Sequence, residues 1–355
     1  MGNNVENVVL QKSKRDARYE LIRVLSIMLV LLVHVDCIYV NEDSFFSHGS
    51  LIREIIASIF ICCNGLFFIL SGKFALNFDE TKSSYRDYYF KKVVYLMLPW
   101  FLYMGIETIA YMVRLPDCEF SNSYFQNVTS KFSVRHYWFM FAIFFDLMVA
   151  PIFAKAFRNM SEKMAILFFA IGVIHLTLFS YGPLLSGWFS YDAPFGQYHF
   201  QFFLGGVIDK VIKYFGKKKL LIFGILCFFF SRIQATKLDY SEFTRDFSPF
   251  YLFSVISAWI LICEIYNIVG QKWDKIIIFL GKYSFPIYLI HMVVLDSMVH
   301  LGWMSLIKDF PVYIVVTFSV VISVSLIIAI IIDKLLLQHL QNLLKFGYTK
   351  LLGQK

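Results

Sequence analysis

One apolar stretch, Arg18 to His34, carries the residues of this chain whose types and spacing suit chemistry best. Glu20 and Arg23 stand at its start, and His34 follows Arg23 by eleven residues. On an α-helix that interval is about 16.5 Å, close to three whole turns, so both side chains leave the same face. A cation at the membrane rim can hold an anionic donor while an imidazole deeper in the bilayer does proton chemistry. A snorkelling arginine and a histidine bonded to a neighbouring helix would give the same pattern. Glu20 and Arg23, three apart, can also pair with each other. Asp36 points elsewhere and reads as an outer-boundary residue.

Other candidates are spread along the chain. Ser71 and Gly72 close a second apolar run, offering a hydroxyl beside a donor site and a close backbone approach. Lys91 and Lys92 open a third run at the level of Arg23, and two cations there suit phosphates as well as they suit topological anchoring. Arg135, His136, Tyr137, Trp138 and Phe139 begin a fourth run, where an aromatic belt explains the rings without further function. Ser284, Tyr288 and His291, at spacings of four and three, make one polar stripe on a helix, on the acceptor side or as interhelical glue. No histidine pair has zinc-protease spacing and no acidic pair suits a glycosidase, so no metal site is expected. The six cysteines sit mostly in apolar runs, Cys62 and Cys63 among them, and form no disulfide pattern.

The elements that hold these residues must lie in lipid. The chain has 355 residues, 58% hydrophobic and 16% charged, with 40 phenylalanines against 25 acidic residues. That excludes a soluble globular enzyme, a disordered chain and a disulfide scaffold. A ruler of roughly 20 apolar residues per span predicts an all-α polytopic bundle of about ten transmembrane helices. Their expected extents are 21–40, 52–76, 88–112, 135–155, 164–182, 198–214, 219–236, 249–270, 276–299 and 311–336. Loops on the side of the termini hold roughly 23 Lys and Arg against about 8 on the other, which predicts both termini in the cytoplasm. The same rule explains the net charge of +8 without nucleic acid. Residues 1–20 read as a cytoplasmic tail without a cleavable signal, 21–336 as the membrane domain, and 337–355 as a second cytoplasmic tail. Asn127 to Thr129 matches a glycosylation sequon, a pattern that arises readily by chance.

Several motifs recur in the order of a known family. They are Arg23-x10-His34, the run Phe67 to Gly72, the basic stretch leading to Leu98 and Pro99, His136 to Phe139, Phe203 to Gly205, and Tyr283 to His291. On these the chain resembles the acyltransferase 3 family of polytopic membrane enzymes, most of all its enterobacterial-common-antigen and surface-polysaccharide O-acetyltransferases. The resemblance implies a bacterial inner-membrane protein that transfers an acyl group, usually acetyl from acetyl-CoA, to hydroxyls of cell-surface or lipid-linked glycans. The donor is a substrate, and no resident cofactor is implied. His34 matches the family's essential histidine and Arg23 its donor-side cation. Glu20 stands where an aspartate is usual, and Lys92 with Tyr95 replaces an Arg-x-x-Arg pair. A glycan exporter or flippase would share the spans. It would need a wide polar cavity, whereas few charges fall within these helices: Arg23, His34, Glu107, Asp146, Glu264, Lys282 and Asp296.

Overall fold

The computed structural model describes residues 15–38, 51–114, 136–185, 196–237, 248–269, 271–307 and 309–353. Cys118, the sequon at Asn127 and Arg135 lie outside them. Among the described residues every regular element is helical. The order is α1 (Ala17–Cys37), α2 (Leu51–Ala75), α3 (Tyr85–Lys92), α4 (Leu98–Arg114), α5 (Trp138–Asn159), α6 (Glu162–Leu185), α7 (Gln197–Gly205), α8 (Ile208–Phe215) and α9 (Lys217–Lys237). Then follow α10 (Pro249–Val269), α11 (Asp274–His300), the single turn α12 (Trp303–Leu306), α13 (Phe310–Ile332) and α14 (Gln338–Gly353).

Helix starts follow local chemistry. The Asp16 carboxylate accepts the Arg18 amide at 3.0 Å before α1, Ser84 accepts the Asp87 amide at 3.1 Å before α3, and Asp309 accepts the Val312 amide at 3.0 Å before α13. Two π-turns join helices end to end: Val93–Met97 links α3 to α4, and Asp333–Leu337 links α13 to α14. The stretch beyond 337, expected as a tail, thus continues as helix to Gly353. It returns onto α3, where Tyr348 stacks on Phe90 with ring centroids 3.8 Å apart and donates to Asp87 at 2.5 Å.

Among the described residues, five helical stretches are long and apolar enough to cross a membrane: Tyr85–Arg114, Trp138–Asn159, Pro249–Val269, Gln271–His300 and Phe310–Leu351. Large apolar side chains such as Ile152, Val315 and Leu226 face outward on them and on α9, the surface expected against lipid. The chain is a multi-pass membrane protein. The expected span 198–214 is broken, because α7 and α8 have nine and eight residues and meet at a turn through Gly206 and Val207. Neither half reaches the roughly 30 Å of a bilayer core by itself.

The buried apolar residues form two main clusters. One gathers α2, α5, α6, α7, α8 and α10 around Leu66, Ile69, Phe169, Phe202 and Trp259; the other gathers α1, α4, α11 and α13 around Leu31, Tyr103, Ile287 and Tyr313. At the α2–α7 crossing, a Cβ on Gly72 would strike the Phe202 carbonyl, and one on Gly205 would strike the Ile69 carbonyl. The Ser71-Gly72 and Leu204-Gly205 motifs are therefore two sides of one backbone contact. Gly72→Ala is expected to cost about 1–3 kcal/mol, because a backbone carbonyl cannot move aside as a side-chain tip can. Thermal unfolding in detergent checks this, and an unchanged midpoint would contradict the close crossing. Outside the helices, Asp79 bonds Arg158 at 2.8 Å and receives the Thr81 hydroxyl at 2.8 Å, which holds its carboxyl well below the usual range.

Candidate functional site

α1 lies against both clusters, so one of its faces can carry a polar line through an apolar interior. At the N-terminal end, Arg23 Nη1 donates to both Glu20 oxygens, at 2.9 and 2.8 Å. Glu20 is buried because α11 offers Gly281 opposite it, where a Cβ would strike the carboxylate. The Ser284 hydroxyl is committed to the Gly281 carbonyl at 2.9 Å, so this member of the α11 stripe serves the helix itself. Lys282 and Tyr283 approach Asp333 Oδ2 at 2.8 and 3.3 Å, and Gln338 adds a third donor at 2.8 Å, which pins the second π-turn to α11.

Further along α1, His34 meets His291, which in turn meets His136. The His34 and His291 rings lie 5.1 Å apart, and the His291 and His136 rings 5.2 Å apart. Tyr288 donates to the His136 carbonyl, tying α11 to the entry of α5. His291 Nδ1 lies 2.6 Å from the Tyr288 carbonyl. A carbonyl only accepts, so Nδ1 carries the proton and Nε2 keeps its lone pair. His291 is fully buried, and its Nε2 has no hydrogen-bond partner. Beyond His136, Glu107 of α4 places Oε2 4.0 Å from Nε2, a gap suited to one bridging water rather than a direct bond.

Three predicted residues, His34, His136 and His291, with Tyr288, thus form one constellation drawn from α1, α11 and the start of α5. Glu107 joins it; its position within an apolar run marked it as a costly charge, but no spacing tied it to a histidine. Trp138 belongs to an aromatic row instead, 5.2 Å from Tyr198, which stacks on Phe68. Ser71 is half-buried at the α2–α7 crossing. Lys91 is exposed, and the Lys92 ammonium sits 5.0 Å over the Tyr88 ring. Among the described residues, no group of three or more His, Cys, Asp or Glu is arranged to hold a metal.

A base flanked by a second imidazole in an apolar interior, with a cation nearer the helix start, is an arrangement suited to group transfer to a hydroxyl. Neither the curated proteins nor the solved structures contain a match to the chain. The model of an acyltransferase domain, that of the acyltransferase 3 family, matches residues 16–330, from the cap of α1 nearly to the end of α13. The span takes in α1, α4, α5 and α11, hence every member of the histidine constellation. The chain belongs to the acyltransferase 3 family and is a membrane acyltransferase.

Proposed function

We propose that the protein moves an acyl group, acetyl in the first instance, from cytoplasmic acyl-CoA to a hydroxyl of a cell-surface or lipid-linked glycan. In this reading it sits in a bacterial inner membrane with ten spans and both termini cytoplasmic. The observation that supports it best is the contact of His34 with His291, whose tautomer the Tyr288 carbonyl fixes.

A sugar hydroxyl is a poor nucleophile until its proton is removed. Neutral His34 takes that proton as the hydroxyl oxygen bonds to the thioester carbonyl carbon. The C–S bond then breaks, and the departing thiolate recovers a proton, so reactants and products balance. His291 Nε2 acts through His34, as an acceptor that favours one orientation of the first ring. Arg23 has five N–H donors and spends only part of them on Glu20, leaving the rest for donor phosphates. Arg23→Gln is expected to raise KM for acyl-CoA about tenfold with kcat changed little, the signature of lost uniform binding. Equal loss in both parameters would move Arg23 away from donor binding.

The deciding experiment supplies labelled acetyl-CoA to protein in liposomes that also contain glycan extracted from the host membrane. Transfer of label to glycan, with release of CoA, supports the reading. Glycan movement across the bilayer without thioester consumption would favour an exporter and overturn it.

A further inference from the structure

At the end of α1 that carries Arg23, α1, α8, the start of α9 and α10 enclose a pocket of about 390 Å³. That volume falls within the range of small-molecule sites, ~300–1,000 Å³. The floor is apolar and aromatic. Ile212, Trp259 and Ile260 are buried there, and Tyr19 packs on Trp259 with ring centroids 6.0 Å apart. The rim is charged, with Arg18, Lys213 and Lys217 beside Asp209 and Glu264. Each of these carboxylates already has a cation, Asp209 from Lys73 and Glu264 from Lys217 at 2.7 Å. Arg18 and Lys213 each pair at 3.1 Å with an acid outside the wall, Asp16 and Glu162. Those last two pairs are exposed to water, so they are weak and give way readily to a multiply charged anion.

Two further features favour negative charge here. Lys218 and Lys219 follow Lys217 in sequence, and the wall includes Gly216 and Lys217, where the amide end of α9 begins. A ligand that is anionic at the rim and flat and apolar on the floor matches this lining, and a nucleotide has both parts. Position on α1 adds a second argument. Tyr19, Arg23 and His34 lie within about 60° of one another around the helix, and Tyr19 stands about 22.5 Å along the axis from His34. A donor anchored in the pocket therefore needs a long arm to bring its thioester to His34, and Arg23 lies on the way. Acyl-CoA has such an arm between its nucleotide and its thioester.

We infer that this pocket holds the nucleotide end of the acyl donor, its adenine ring on the floor and its phosphates at the rim. The inference rests on the proposed use of acyl-CoA, and its test does not depend on turnover. Cys263 lines the pocket and is partly exposed, whereas Cys37 is exposed at the opposite end of α1. Full-length protein in phosphatidylcholine nanodiscs is alkylated with a maleimide, and the rate at each cysteine is followed by mass spectrometry. The probe is phosphoadenosine phosphate, the detached nucleotide end of CoA. Near saturation it is expected to slow alkylation of Cys263 at least about fivefold and leave Cys37 unchanged. Arg18→Gln and Lys217→Gln should each raise the concentration needed about tenfold, the loss of one charge-assisted hydrogen bond. Lys350→Gln, outside the pocket, should not. Unprotected Cys263 in protein that still transfers label from acetyl-CoA would overturn the pocket and leave the transfer reading standing. Protection by the nucleotide without any consumption of acyl-CoA would leave a nucleotide site and overturn its assignment to a donor. Protection by phosphatidylglycerol in the nanodisc, and not by the nucleotide, would make this a lipid-headgroup site and overturn the inference.

Discussion

His34→Ala is expected to lower acyl transfer by about 10²–10⁴-fold, the usual contribution of a positioned general base. That range corresponds to about 2.7–5.4 kcal/mol of barrier, far more than any plausible change in donor affinity. His34 is only partly buried, so its truncation should leave the bundle folded. The readouts are thioester consumption and glycan label in liposomes, beside a thermal midpoint for the variant. Retained transfer in folded His34→Ala would remove this residue from the chemistry, and with it the reading of the constellation.

The next largest effect is expected at His291. Removing its imidazole takes away the ring packed against His34, and kcat should fall about 10- to 100-fold with KM for acyl-CoA unchanged, as for a group that acts only on the transition state. His291 is fully buried, so alanine also leaves a void. Glutamine separates the two consequences. Its amide NH₂ can donate to the Tyr288 carbonyl while its oxygen still accepts, so His291→Gln should recover a large part of kcat. If Gln and Ala lose activity alike, and in step with lost thermal stability, His291 is a packing residue and the positioning role fails.

Much of α1 and α11 was legible from sequence. Within one helix, 3.6 residues per turn dictate which side chains share a face, so Arg23 with His34 and Tyr288 with His291 could be paired by counting. Contacts between helices had no such ruler. That His34 meets His291 depends on the height at which α1 packs on α11, and Glu20 settling opposite Gly281 helps to set it. Glu107 and His136 come from different helices, and nothing in their local sequence announced the meeting. Asp146 was visible as a charge in an apolar run, but its partnership with His199 follows from the α5–α7 packing. The break between α7 and α8 escaped because a Gly205-Gly206 step inside an apolar run suits a tight crossing as well as a turn.

The π-turn at Val93–Met97 bears on how this membrane segment keeps angular phase. Its closing bond runs from the Leu98 amide to the Val93 carbonyl, taking up one residue more than an α-turn does. Deleting a single residue there would restore an unbroken α-helix, yet it would rotate everything before it by about 100° about the axis. Tyr88 would swing away from the Leu147 carbonyl it now bonds at 2.8 Å, and Phe90 away from Tyr348. The extra residue acts as a phase shifter: it lets the first third of the segment face the C-terminal helix while Tyr103 and Glu107 keep facing the interior. In homologous chains, a one-residue gap at this point would therefore alter which lysine faces inward without changing any lysine.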